Sequence, residues 1–240
     1  MVVSVSTYLA NDVLCALREK MMTQTLLKID IVSDVMCPWC AIGYAALDRA
    51  LEQLSDTVKA DIHWQPFELN PDMPAEGQHL GEHLAQKYGS TPEQSKENRD
   101  RITQMGAELD FEFNFRDDQR IVNTFDAHQL LHWIGEAIPE RQTELKMALF
   151  HAYFRDGLDV SKRDVLMGIV AELDLDAEYA NKLLQDQTYA GDVRALQQQW
   201  RQLGVQAVPV FIINEKYMLS GGQPVEAFVQ ALQQIAAQPA

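Results

Sequence analysis

The chain has 240 residues, 47% of them hydrophobic, with three cysteines and a formal net charge of −15. That length and apolar content suffice for one large domain, or a domain carrying an insertion, with a core that needs no disulfide staples; three cysteines exclude a secreted disulfide scaffold. The acidity disfavours nucleic acid or an anionic membrane as partner, since both need a basic surface, and no apolar run approaches the roughly 18 residues of a membrane span.

Residues 1–25 lack the basic start and unbroken apolar core of a secretory signal. They read as an N-terminal extension, a helical or disordered arm carrying Cys15, on a cytoplasmic chain. The Met21-Met22 pair just before the first strand is an alternative start. From Leu27 to Val32 apolar residues alternate, with Leu27, Ile29 and Ile31 on one side, which predicts a central strand. Cys37-Pro38-Trp39-Cys40 follows. Leu47, Ala50, Leu51 and Leu54 then recur at the spacing of a helix's buried face. A second strand alternates Val58, Ala60, Ile62 and Trp64 with Lys59, Asp61 and His63, which places His63 at the surface. Pro66, Pro71 and Pro74 mark the loop after it.

From Gly77 to Leu203 the helical period dominates. Thr91-Pro92-Glu93-Gln94 combines an N-cap, a first-turn proline and a capping-box Gln. Ala127, Leu130, Leu131, Ile134 and Ile138 form one apolar stripe; Leu145, Ala148, Leu149 and Ala152 form another. Ser161 to Asp164 reads as a second capping box. Val193, Leu196, Trp200 and Leu203 close the series before Gly204, which suits a helix stop. Two short strands around Asn214-Glu215-Lys216 and a last helix after Pro224 complete the chain. Neither β-containing end has enough strands to stand alone, so the two must share one sheet. The expected architecture is one α/β unit in two halves, 26–76 and 204–240, split by an all-α insertion, 77–203.

The two cysteines fall where a strand hands over to a helix. At a helix N-terminus the unpaired N–H groups and the dipole favour a thiolate, so the Cys37 pKa should fall. Pro38 fits the first turn, and Cys40, one turn on, can close a disulfide or resolve a mixed one. Trp39 should stand half-exposed beside the sulfurs. A zinc site usually needs two such pairs, and the chain has no second Cys-x-x-Cys, though it has six histidines; two inert thiols are the other alternative. Far along the chain, Val208-Pro209 opens a strand. A cis bond there would present Val208's backbone beside the thiols, where an extended substrate could pair; an ordinary trans proline ending a helix is the plainer alternative.

Together these pieces resemble a thioredoxin-like fold with a large helical insertion, the DsbA family of thiol–disulfide oxidoreductases. The FrnE-like subfamily is the closest likeness, on "SDVMCPWC", "PFELNPDMP", "NTFDAH", "LFHAYF" and "GVQAVPVFIINEKYMLSGGQP". The resemblance spans Leu26 to Leu232. It implies Cys37 as attacking thiol, Cys40 as resolving thiol and Pro209 as the cis-proline, with Pro38, Trp39 and Val208 meeting substrate. It implies no metal and no organic cofactor, a thiol or disulfide substrate that is a protein or a small molecule, and glutathione or a reductase as redox partner. Cys15 lies outside the match and is either incidental or an intermolecular bridge. Glutathione-dependent isomerases and transferases of the kappa and 2-hydroxychromene-2-carboxylate type share the fold but generally lack an intact CxxC. A chaperone-like binder without catalysis is the third alternative.

Four further residues are candidates for tuning the pair. Asn123, Thr124 and His128 open one helix, with Thr124 and His128 on one face, and either wall the thiols or simply cap and brace that helix. Asp34, three residues before Cys37, either raises the thiol's pKa and shuttles a proton or caps the following turn.

Overall fold

The computed structural model describes residues 24–238; Cys15, the Met21-Met22 start and nearly all of the N-terminal extension lie outside them. Strand β1 (Thr25–Ser33) is followed by helix α1 (Pro38–Gln53) and strand β2 (Val58–Pro66). β1 and β2 run parallel, in register from Thr25 opposite Val58 to Ser33 opposite Pro66. The chain returns to this sheet in β5 (Val210–Ile213) and β6 (Tyr217–Ser220), giving the order β2-β1-β5-β6. β5 lies antiparallel to β1, so both ends of the chain share one sheet. β1 is thus central, and its Leu27, Ile29, Ile31 and Val32 are completely buried, as its near-continuous apolar sequence requires.

Helix α9 (Val225–Ala236) packs on α1. Between the halves lie seven helices: α2 (Leu80–Tyr88), α3 (Pro92–Glu108), α4 (Phe125–Ala137), α5 (Gln142–Phe154), α6 (Arg163–Glu172), α7 (Ala177–Asp186) and α8 (Ala190–Gln202). Thr91 and Gln94 form the capping box of α3, with Pro92 at its first position.

The insertion grips the sheet at its β2 edge, against which α4, α5 and α8 pack. An edge strand leaves backbone groups unpaired. The side-chain amide of Gln142 fills that role at Trp64: Trp64 N–H donates to Gln142 Oε1 at 2.7 Å, and Gln142 Nε2 donates to Trp64 O at 3.2 Å and Leu131 O at 3.0 Å. The Trp64 ring lies 5.0 Å from Tyr44 of α1 and 6.0 Å from Phe150 of α5, so one tryptophan ties strand, cysteine-bearing helix and insertion together.

Two expectations are corrected. Ser161 Oγ bonds Asp159 at 2.6 Å, and α6 begins after Lys162 with no side-chain cap, so the 161–164 box does not form. Leu203 is 60% exposed, because α8 ends at Gln202 and Gly204 (φ 89°) turns the chain away. A two-residue ribbon, β3 (Gln78–His79) against β4 (Arg120–Ile121), brackets α2 and α3 and carries no detectable period. Among the described residues no helix is long and apolar enough to cross a membrane.

Candidate active site

β1 delivers the chain through Ser33 and Asp34 to Cys37, which is the N-cap of α1 with extended backbone (φ −89°, ψ 111°); Pro38 takes the first helical position. Cys37 N–H donates to Asp34 O at 3.3 Å and Cys40 N–H to Cys37 O at 3.0 Å, a tight turn that sets both sulfurs at the helix start. Both cysteines are free thiols, Cys37 4% and Cys40 0% exposed. Only Cys37 borders open space, a cavity of 410 Å³ between the cysteine turn and helices α2 and α3.

The Val208–Pro209 peptide is cis, and Val208 O accepts the Cys37 thiol at 3.5 Å. α1 approaches this loop so closely that a Cβ on Gly43 would stand 3.0 Å from Phe211 and 3.1 Å from Pro209. Trp39 is half-buried; the Arg101 guanidinium of α3 lies 5.5 Å over its ring.

Behind the sulfurs stands a set of buried polar groups. Asp34, completely buried, accepts Leu69 N–H on Oδ2 at 2.8 Å; its Oδ1 is 3.5 Å from His128 Nε2, and neither atom holds a hydrogen bond. Burial pushes the Asp34 carboxyl up, but His128, the Leu69 N–H and Thr124 together hold it below its ordinary value. Thr124 occupies the N-cap position of α4 without capping it, and is 2% exposed. Asn123 does not join this set: its Oδ1 accepts Phe125 N–H at 2.9 Å and its Nδ2 donates to Met73 O at 3.4 Å, a purely local role.

Lys146 of α5 is 1% exposed. Its Nζ lies 5.1 Å from the Trp64 ring and 4.8 Å from the Phe150 ring. Burial pulls the ammonium down to about 8, against the charges of Cys40, Asp34 and Cys37 that hold it up. The one signal in the sequence is the run "LKMALF", where a helix apolar on nearly every side leaves a lysine nowhere exposed to point. His63, by contrast, is only half-buried, beside Asp61 at 3.1 Å.

The two thiols share their protons unequally, and not as the helix dipole alone would have it. Its hydrogen bond to Cys40 holds Cys37 well above the ordinary thiol value, and burial and the negative charge of Cys40 and Asp34 act the same way. Burial pushes Cys40 up as well, but the hydrogen bond from Cys37, the charge of Lys146 and the nearby Ser33 hydroxyl outweigh it and leave Cys40 low. The expectation of a lowered Cys37 is therefore corrected. A carbonyl at Val208 can hold only a protonated Cys37, whereas a cation faces Cys40. The first proton lost from the dithiol belongs to the pair and not to either cysteine alone.

Among the described residues no group of three or more His, Cys, Asp or Glu side chains is placed to hold a metal.

A model of the DSBA-like thioredoxin domain matches residues 28–233. The solved structure of a probable DsbA oxidoreductase from Streptomyces coelicolor is 32% identical, with a TM-score of 0.81 over 89% of this chain and 92% of that one. YwbO of Bacillus subtilis (strain 168), an uncharacterized protein, is 25% identical over 205 residues, 85% of this chain and 94% of its own length. The cytosolic disulfide reductase DsbM from Pseudomonas aeruginosa, solved with GSH, is 18% identical and shares the fold, with a TM-score of 0.59 over 87% of this chain and 98% of that one.

Proposed function

The chain belongs to the DSBA-like thioredoxin-domain family, and from that premise we propose that it is a thiol–disulfide oxidoreductase of the FrnE-like branch, working through Cys37 and Cys40. The observation that carries the assignment of roles is the difference in access: Cys37 borders the cavity, while Cys40 is sealed and can reach only Cys37. Cys37 is therefore the sulfur that meets substrate.

The proton arrangement supports a definite order of steps. With the pair's one remaining proton on Cys40, the Cys37 thiolate attacks one sulfur of a substrate disulfide. A Cys37–substrate disulfide forms, and the other substrate sulfur leaves as a thiolate that takes a proton from water. Cys40 then attacks the Cys37 sulfur, its proton passing to the departing substrate sulfur, which leaves as the second substrate thiol. Two electrons pass from the dithiol to the substrate, and the protein ends as the Cys37–Cys40 disulfide. Run in reverse, the same steps oxidise a dithiol. Trp39, Pro38 and the backbone of Val208 and Pro209 frame the approach to Cys37. Asp34, Thr124, His128 and Lys146 set the charge around Cys40. A cytoplasmic setting, with a small thiol such as glutathione or a reductase to recharge the pair, belongs to the same proposal. Its support is the shared fold with a cytosolic disulfide reductase solved with GSH.

Trapping tests the reading. Reduced Cys40→Ser protein mixed with a disulfide should accumulate a mixed disulfide on Cys37, seen as a mass increase that dithiothreitol removes. Cys37→Ser should accumulate none. Undiminished turnover by Cys37→Ser would overturn the assignment.

A further inference from the structure

The cavity beside Cys37 has a composition at odds with the rest of the molecule. The chain carries 35 acidic residues against 20 basic, yet no Asp or Glu lines this space. Its depth is apolar, formed by Leu84, Ile102 and Phe154 among others, and its polar wall includes Arg99 and Gln119. Arg99, half-buried on α3, holds no ion pair or hydrogen bond among the described residues. Arg99 also lines a neighbouring recess together with Glu82 and Asp117, but neither carboxylate is within ion-pair distance of it. Gln119 is 5% exposed, and its Oε1 has no hydrogen-bond partner. A buried acceptor left without a donor is uncommon in a folded protein and calls for a partner. An unpaired guanidinium fits a carboxylate in a way few other groups do. The volume of 410 Å³ lies in the range of small-molecule sites.

We propose that this cavity binds a low-molecular-weight disulfide or thiol bearing a carboxylate, with Arg99 pairing the carboxylate and Gln119 Oε1 accepting an N–H of the same ligand. The inference rests on the oxidoreductase reading and names its substrate class: a small anionic disulfide, whose sulfur lies against Cys37 while its acid end reaches α3. The reaction is the one written above. Cys37 bonds to one ligand sulfur, the second ligand half leaves as a thiolate, and Cys40 releases the first half as a thiol, so that the ligand gains the two electrons the pair loses.

Three small disulfides of different charge separate the possibilities: dithiodiglycolate (anionic), hydroxyethyl disulfide (neutral) and cystamine (cationic). Stopped-flow rates of oxidation of the reduced protein should favour dithiodiglycolate over cystamine by about tenfold or more, as one charge-assisted contact gives. Arg99→Gln should remove most of that preference and Arg99→Glu should invert it. With glutathione disulfide, which carries both carboxylates and amides, Gln119→Leu should lower the rate about fivefold relative to hydroxyethyl disulfide. Equal rates for all three disulfides, or an anionic preference that survives Arg99→Glu, would overturn this inference while leaving the redox role of Cys37 intact. Failure of the wild-type dithiol to react with any of them would sink the oxidoreductase reading and this inference with it.

Discussion

Replacing Lys146 by Met should stabilise the protein at neutral pH while making the Cys40 thiol less acidic. The ammonium is fully enclosed, and its pKa is pulled from 10.5 down to about 8. At about 1.4 kcal/mol per pH unit, keeping it charged in the fold costs about 3 kcal/mol. The faces of Trp64 and Phe150 return part of this, about 0.5–2 kcal/mol together. Methionine matches the lysine stem in length and flexibility and carries no charge. The expected net gain is therefore about 1–3 kcal/mol at pH 7. Because the folded pKa lies below the unfolded one, the penalty is fully present below about 8. It fades as pH rises towards the unfolded value of roughly 10.5, where lysine is neutral in both states. Urea unfolding of the reduced proteins at pH 7 and at pH 10.5 measures both the gain and its disappearance. In parallel, the ultraviolet absorbance of the thiolate should appear at higher pH in the variant, since Lys146 is one of the groups holding Cys40 low. A Lys146→Met protein less stable than wild type at pH 7, or a difference unchanged between the two pH values, would refute the reasoning.

Asp34→Asn should flatten the acid limb of the stability curve. The Asp34 carboxyl is held below its ordinary value, so its contribution is present above the unfolded carboxylate pKa and lost as pH falls through the folded one. Urea midpoints from pH 3 to 7 should converge for wild type and variant at the acid end; parallel curves would contradict this. Gln142→Ala leaves the Trp64 N–H and two carbonyls without their buried partner, and should destabilise by about 2–4 kcal/mol in the same assay; a loss under about 1 kcal/mol would mean water replaces the amide. Gly106→Ala would put a Cβ 2.4 Å from the Phe113 ring and 2.5 Å from Phe111 O. Overpacking should outweigh the better helix propensity and cost about 1–2 kcal/mol, lowering the melting temperature.

The parts of the fold that follow a short period are legible in the amino-acid sequence alone. β1 and α1 announce themselves by apolar spacings of two and of three to four, and the cysteines sit at the change of period. The pairing of β1 with β5, which joins residues some 180 positions apart by their numbering, is deducible because neither end has a sheet of its own. The ribbon of β3 and β4 is not, because two residues per strand carry no period. Lys146 is hidden for a related reason. The stripe of Leu145, Ala148, Leu149 and Ala152 marks one buried face of α5, but the helix is enclosed on its other sides too, and Lys146 lies there.

The acidity of the sulfurs shows where local inference stops. The N-terminus of α1 acts on Cys37 through residues adjacent in sequence, and taken alone it lowers that thiol. The hydrogen bond to Cys40 and the charge of Asp34 that oppose it are also near in sequence, but three further groups come from elsewhere: Val208 O from the loop before β5 accepts the Cys37 thiol, Lys146 from α5 helps to hold Cys40 low, and His128 from α4 helps to hold Asp34 low. Two of these three stand on the helical insertion. The insertion therefore does more than wall the cavity; it places a cation behind Cys40 and a buried imidazole against Asp34. A thioredoxin-like unit without it would keep the same cysteine turn and lose two of the groups that act on the charge of Cys40 and Asp34.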